Sequence, residues 1–261
     1  MSVYCNGHRA SADDLAGALV NYGHFTSLQV RGGAVQGLDL HLRRLRQGTE
    51  DMFGATLDGS QVQAWMHAAL QAEGVADASL RITVFSRAFD FRQPLQAVPV
   101  DVLVAVSAPV TLPATPRRVR SVVYQRELPH LKHVGTFPLF AHRRQALEAG
   151  YDDALFVDAQ GAIIEGTTWN IAFGRGGDLV WPQAPALRGT QERLLQAGWG
   201  GAPQLAPVRL ADLAGFDAAI ACNAAGVWPI ASIDGHGFSG SEALVRQAIT
   251  TVAGQPWEPL A

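Results

Sequence analysis

A lysine flanked by apolar residues and followed by a helix is a candidate for carbonyl chemistry. Lys132 stands in such a place, in Leu128-Pro129-His130-Leu131-Lys132-His133-Val134-Gly135. An ammonium that loses its hydration loses its proton more easily, and the free amine can then form a Schiff base. Read alone, a lysine here is an ordinary surface residue with its stem on apolar neighbours. Three other features change that reading. Arg44, in His41-Leu42-Arg43-Arg44-Leu45, offers a planar guanidinium that can grip a phosphate dianion with paired charged hydrogen bonds. Gly189-Thr190 opens a helix, whose free N–H groups and positive dipole end form an anion site. Glu165 ends a strand inside an apolar run, where a carboxylate needs a cationic partner. A protonated pyridine nitrogen would be one, and the pair would let such a ring act as an electron sink.

The elements that must position these residues follow from pattern. Asn6-Gly7 between short apolar runs predicts a hairpin, as does Gly32-Gly33 between Ser27–Val30 and Ala34–Gln36. Leu38, Leu42, Leu45, Met52 and Phe53 predict a helix over Leu38–Phe53, entered through Asp39. A second amphipathic helix is expected over Gln61–Ala72, stopped near Gly74, followed by strands over Leu80–Phe85 and Val100–Val106. Residues 108–116 hold three prolines and read as a linker. Beyond it are expected a strand over Arg120–Tyr124 and a helix from Phe137 to Ala149 closed by Gly150. Further hairpins turn at Ala159–Gly161 and Gly176–Asp178, a short helix starts at Gly189-Thr190, and a buried strand over Ala218–Cys222 leads into Asn223. The expected division is a small α/β domain over 1–107, a linker over 108–116, and a larger strand-rich domain over 117–261 that carries Lys132.

Composition excludes several classes. With 48% apolar and 16% charged residues in 261, the chain can bury a core and is not disordered. A net charge of −3 gives no electrostatic reason to expect nucleic acid or an anionic membrane as partner. No apolar run reaches bilayer length, and the N-terminus lacks the basic-then-apolar order of a signal peptide. Two distant cysteines, Cys5 and Cys222, suggest a reduced, cytoplasmic setting. The eight histidines show no metal-ligand spacing, so no metal is expected.

The order of the motifs resembles the class IV aminotransferases, the fold-type IV pyridoxal 5'-phosphate (PLP) enzymes that include branched-chain and D-amino-acid aminotransferases and aminodeoxychorismate lyase. The resemblance runs from about Asn21 to Pro229 and rests on Tyr22–Ser27, His41–Leu45, Leu131-Lys132-His133, Glu165-Gly166-Thr167-Thr168-Trp169-Asn170, Leu187–Thr190 and Asn223-Ala224-Ala225. It implies an α/β (α+β) two-domain fold and a homodimer. Lys132 would be the Schiff-base lysine, Arg44, Gly189 and Thr190 would hold the phosphate, Glu165 the pyridine nitrogen, and Asn223 and Ala224 the last cofactor loop. Thr26 and Trp169 are candidate substrate contacts, and His133 a candidate proton shuttle. An amino donor and an oxo-acid acceptor would be the small-molecule partners.

Departures from the family pattern bear on the reaction. Phe137 stands where many relatives have a tyrosine, Arg188 where a proline is common, and Gln191 where a threonine is frequent. Phe25-Thr26-Ser27, Leu131-Lys132-His133 and Cys222-Asn223-Ala224 look more like the lyase, yet the lyase's Gly-Arg-Gly-Tyr-like loop is replaced by Phe85–Pro94. In that stretch Arg87 or Arg92 could supply a substrate-carboxylate contact. The missing loop lies in the substrate site, so transamination is the preferred expectation, with the lyase as alternative and a non-catalytic PLP-binding relative as a third reading.

Overall fold

The computed structural model describes residues 1–261 except 113–114 and 201–203. The chain divides into two compact units: Met1–Val110 with Leu131–Gly135 and Pro256–Ala261, and Thr111–His130 with Thr136–Gln255. The boundary after Val110 falls inside the proline-rich stretch; residues 113–114 of that stretch lie outside the described residues.

In the first unit, β1 (Ser2–Cys5) and β2 (His8–Arg9) form the hairpin expected at Asn6-Gly7. Both turn residues have positive φ, 48° and 87°, which this asparagine and glycine tolerate. A helix not expected from the sequence follows, α1 (Ala12–Ala18), started by a capping box between Ser11 and Asp14. Then come β3 (Gly23–Val30), β4 (Ala34–Gln36), α2 (Leu38–Phe53), α3 (Gly59–Glu73), β5 (Ala78–Phe85) and β6 (Asp101–Ser107). The sheet is antiparallel in the order β2-β1-β6-β5-β3. Its inward positions, such as Leu28, Val30, Leu80 and Ile82, pack with Leu45 of α2 and Met66 of α3. Strand alternation and helical periodicity thus meet in one core.

In the second unit, β7 (Arg117–Val123), α4 (Phe137–Glu148), β8 (Asp153–Val157), β9 (Ile163–Gly166), β10 (Asn170–Arg175), β11 (Asp178–Pro182), α5 (Thr190–Gly198), β12 (Gln204–Ala206), β13 (Ala218–Asn223), β14 (Gly226–Ile233), β15 (His236–Gly237) and α6 (Ser241–Ala253) follow in turn. The sheet order is β12-β11-β10-β13-β14-β7-β8-β9, with β15 on β14. Val119, Leu155, Ile163, Ile171, Val180 and Trp228, from six different strands, belong to one buried cluster, so the sheet curls around a single core. Its other face is covered by α4 through Leu139 and Ala146 and by α5 and α6 through Leu195, Leu244 and Ala248. Among the described residues no helix is long and apolar enough to cross a membrane.

Two returns of the chain to the first unit differ from the sequence expectation. Residues Leu131–Gly135, placed by sequence with the larger domain, pack in the first unit because they run beside β3. Phe25 N donates to Lys132 O and Val134 N to Gly23 O, both at 2.9 Å. The C-terminal β16 (Trp257–Pro259) pairs with β4, and Glu258 Oε1 accepts from Leu38 N at 2.9 Å. That carboxylate caps α2, whose own N-cap is Gly37 with φ 65° and no side-chain cap. Asp39, expected to start the helix, lies in its first turn and pairs with Arg43.

Candidate functional site

Lys132 is the one lysine in the chain; every other basic side chain counted with it is arginine. A chain that uses arginine at every solvated position has no evident need of a surface lysine. An amine is required only where the group must lose its proton, which a guanidinium does not do in proteins. That composition signal was present in the sequence and strengthens Lys132 independently of any motif.

In the first unit, β3 is the edge strand of its sheet, and 131–135 adds a further extended segment to it, with His24 bridged to His133. The Lys132 backbone is therefore fixed, and its Nζ lies 4.9 Å from the centroid of the Phe25 ring. Leu38, His41, Leu42 and Leu45 are buried along one stripe of α2, which carries Arg44 to the half-buried edge of that stripe. Thr26 Oγ1 hydrogen-bonds His41 Nδ1 at 2.6 Å, and Arg44 Nη1 donates to the same hydroxyl at 3.5 Å. Burial, then the charges of Arg44 and Lys132, push the His41 imidazole down to about 3, so it stays neutral. Thr26 is 0% exposed. Its hydroxyl stands between His41 and Arg44.

In the second unit, Glu165 is 4% exposed on β9, opposite Phe156 of β8, next to a bulge at which the register shifts. The Tyr124 ring lies 4.7 Å from that of Phe156 and 4.8 Å from that of His142. Burial first, and the charges of Glu127 and Glu165 against that of Arg126, raise the Tyr124 phenol, which remains an O–H donor. Gly166 is required by packing, since a Cβ there would lie 1.9 Å from the Trp169 ring. Trp169, expected at the substrate, is 2% exposed and meets Trp228 edge-on at 6.2 Å, so it serves the core that seats Glu165 and Gly166.

The first turn of α5 is also built by close packing. Gly189 is its N-cap, and a Cβ there would lie 2.2 Å from Asn170 Oδ1, while Asn170 Nδ2 donates to Leu187 O at 2.7 Å. Thr190 and Gln191 are buried beside it. Arg188, at the position where proline is common, donates to Pro182 O at 3.0 Å, Ala184 O at 2.8 Å and Glu192 Oε1 at 3.0 Å. It thereby braces the loop. Glu192 is 0% exposed and its carboxyl is raised by burial, with Arg188 opposing. Asn223 Nδ2 donates to Thr168 O at 3.3 Å and its Oδ1 accepts from Ala225 N at 2.9 Å. The last loop, with Ala224, is thus tied to the Glu165–Asn170 segment.

The arginines singled out for a substrate carboxylate are engaged elsewhere. Arg87 pairs with Asp14 at 2.8 Å and Asp101 at 3.2 Å, and Arg92 is an exposed residue 3.9 Å from Asp90. Arg81, not considered from the sequence, has its guanidinium carbon 3.5 Å from the centroid of the same Phe25 ring that Lys132 meets. The strand register could have found it: Thr83 pairs with Phe25, and Arg81 is two residues away on the same face. Phe137, where relatives have a phenol, is 80% exposed at the start of α4.

Comparison with known proteins gives a consistent family. A model of amino-transferase class IV matches residues 23–233. No curated protein sequence is similar to the chain. Among solved structures, a T.th. branched-chain amino acid aminotransferase, complexed with N-(5'-phosphopyridoxyl)-L-glutamate, has a TM-score of 0.84 at 17% identity, covering 100% of this chain and 98% of that one. A branched-chain aminotransferase from Thermoproteus uzoniensis has a TM-score of 0.83 at 20% identity, covering 100% and 99%. A Legionella pneumophila protein provisionally described as 4-amino-4-deoxychorismate lyase has a TM-score of 0.79 at 18% identity, covering 90% and 92%.

Proposed function

Because the chain belongs to the class IV aminotransferase family, we propose that it is a PLP-dependent aminotransferase acting on the amino group of a small amino acid or amine, with the cofactor held covalently by Lys132. The observation that carries this reading is the chain's single lysine, its backbone fixed to β3 beside a positively charged corner of α2. The residues present fit the cofactor. An amine suits its aldehyde, Arg44 and the α5 first turn at Gly189 and Thr190 suit its phosphate, and the buried Glu165 suits a protonated pyridine nitrogen. The tight fit of Gly189 against Asn170 leaves no room for a side chain at the α5 start, which supports its reading as an anion cradle.

When bound, PLP supplies an electron sink for the bonds at the substrate Cα. Lys132 Nζ would hold the cofactor covalently and would carry the proton at the substrate Cα. Arg44, in contact with Thr26, and the N–H groups of α5 would hold the phosphate. Glu165, 4% exposed and opposite Phe156, would hold the proton at the ring nitrogen. Asn223 and Ala224 complete the cofactor loop, His133 is a candidate proton carrier, and Arg81 is the candidate for a substrate carboxylate. Two free cysteines, both buried, accord with a cytoplasmic location, and the family resemblance implies a homodimer.

The test begins with PLP loading and borohydride reduction. Phosphopyridoxyl mass on the Lys132 peptide, lost in Lys132→Ala, is expected, and failure to fix the cofactor at Lys132 rejects the reading. Conversion to the pyridoxamine form by L- or D-amino acids, reversed by an oxo acid, identifies transamination. Release of pyruvate and p-aminobenzoate from aminodeoxychorismate without a pyridoxamine form would instead select the lyase, which the Thr26 and Leu131-Lys132-His133 motifs resemble.

A further inference from the structure

We propose that Arg81 is a positioning residue for Lys132, a second cation on the shared Phe25 ring that lowers the proton affinity of the lysine amine before the cofactor arrives. The inference rests on the covalent role of Lys132 for its purpose, but not for its test.

The geometry is direct. Arg81 Cζ lies 3.5 Å and Lys132 Nζ 4.9 Å from the Phe25 centroid, so the two charges are at most about 8 Å apart across a hydrocarbon ring. Phe25 is 6% exposed, which keeps water from most of that ring. Two effects compete at the amine. The ring's quadrupole favours an ammonium, an attraction that replacing Arg81 leaves in place, so the comparison of Arg81 with its neutral variants reads the repulsion. Repulsion between full charges at this separation lowers the amine's proton affinity by a factor of about 2 in a water-like dielectric and about 30 near a protein surface. Because a guanidinium does not titrate in this range, the repulsion acts at every pH of the test.

The surrounding groups set the rest of the local field. From α2 come Arg44 and His41, and the imidazole is itself driven neutral in part by Arg44 and Lys132. From β3 come Thr26, Phe25 and His24. The Asp51 carboxylate, towards the end of α2, acts on His24. His133 follows Lys132 on its own segment. Four carboxylates of this unit are engaged with other cations: Glu73 with Arg9, Asp39 with Arg43, and Asp14 and Asp101 with Arg87.

The single lysine makes the test clean. Cofactor-free full-length protein is labelled with trinitrobenzenesulfonate from pH 6 to 11, and the Lys132 peptide is quantified by mass spectrometry. Arg81→Met is expected to slow Lys132 labelling at pH 8 about threefold to tenfold and to move the pH profile upward. Arg81→Lys, which keeps the charge and is resolved in a separate peptide, is expected to stay near wild type. High salt should slow labelling in wild type more than in Arg81→Met, because at 1 M the screening length falls to about 3 Å. Circular dichroism checks that the variants fold, and Arg81→Gln provides a second neutral variant. An unchanged profile in both neutral variants, or an equal change in Arg81→Lys, overturns the proposal. A shift found in a protein that fails to fix PLP would sustain the electrostatic coupling while removing the enzymatic reading.

Discussion

Lowering the pH from 7 to 5 should weaken the first unit through two buried histidines. His24 is held down to about 4 and His41 to about 3, in both cases chiefly by burial, from an ordinary value of 6.5. In the unfolded chain both imidazoles take up a proton near their ordinary value, while in the folded chain neither does. The unfolded state therefore binds more protons over this interval. Stability is complete above the unfolded value and is lost as pH falls toward the folded ones. Each histidine contributes about 1.4 kcal/mol per pH unit, so the pair removes about 4 kcal/mol between pH 7 and 5. Asp14, Asp58 and Glu73, whose carboxyls hydrogen bonds hold below their ordinary values, lose their contribution only at lower pH and leave this window clear. Glu192, raised by burial, acts in the opposite sense within the second unit. Urea denaturation of the cofactor-free chain at pH 5, 6, 7 and 8, followed by circular dichroism and tryptophan fluorescence, measures the slope. His41→Gln, which preserves a hydrogen-bond partner for Thr26, should reduce the slope by about half. A stability that stays flat from pH 8 to 5, or a His41→Gln slope equal to that of wild type, would refute the assignment of buried neutral imidazoles.

Gly166→Ala should cost about 3 kcal/mol or more, read as a lowered unfolding midpoint, because its Cβ would meet the Trp169 ring at 1.9 Å; an ordinary midpoint would count against the packing. Gly189→Ala should weaken PLP binding at least about tenfold in fluorescence titration, since it displaces Asn170 from the α5 start. Adding Asn170→Ala should recover part of that loss, and equal affinity in wild type and Gly189→Ala would remove the anion cradle. Arg188→Met should destabilise by about 3 kcal/mol by stranding the fully buried Glu192. The further change Glu192→Gln should restore much of it, and a fully additive double variant would show that the pair is not coupled. Glu258→Ala should cost about 1 kcal/mol by removing the carboxylate that caps α2, measurable as faster amide exchange at Leu38; unchanged exchange would deny the cap.

The sequence by itself determined the elements whose signals are local. The periodicity of Leu38–Phe53 returned as α2 with the same limits, and the Asn6-Gly7 and Ala159–Gly161 turns returned as hairpins. The order of motifs around Arg44, Glu165 and Gly189-Thr190 singled out Lys132, and its being the chain's one lysine agrees with that reading. Tertiary structure decided what depends on residues far apart. Lys132 joins the first unit because β3 leaves an open edge that 131–135 completes. The α2 start is capped from residue 258, which no local pattern could reveal. Thr26 and Trp169 are buried, which their residue types did not foretell, since burial is set by what packs above a residue. Arg81, one arginine among nineteen in the linear reading, acquires its place beside Lys132 only through the register of β3 with β5 and the two cations' shared Phe25 ring. Local propensity writes the elements, while pairing across the chain chooses which of their residues face the chemistry.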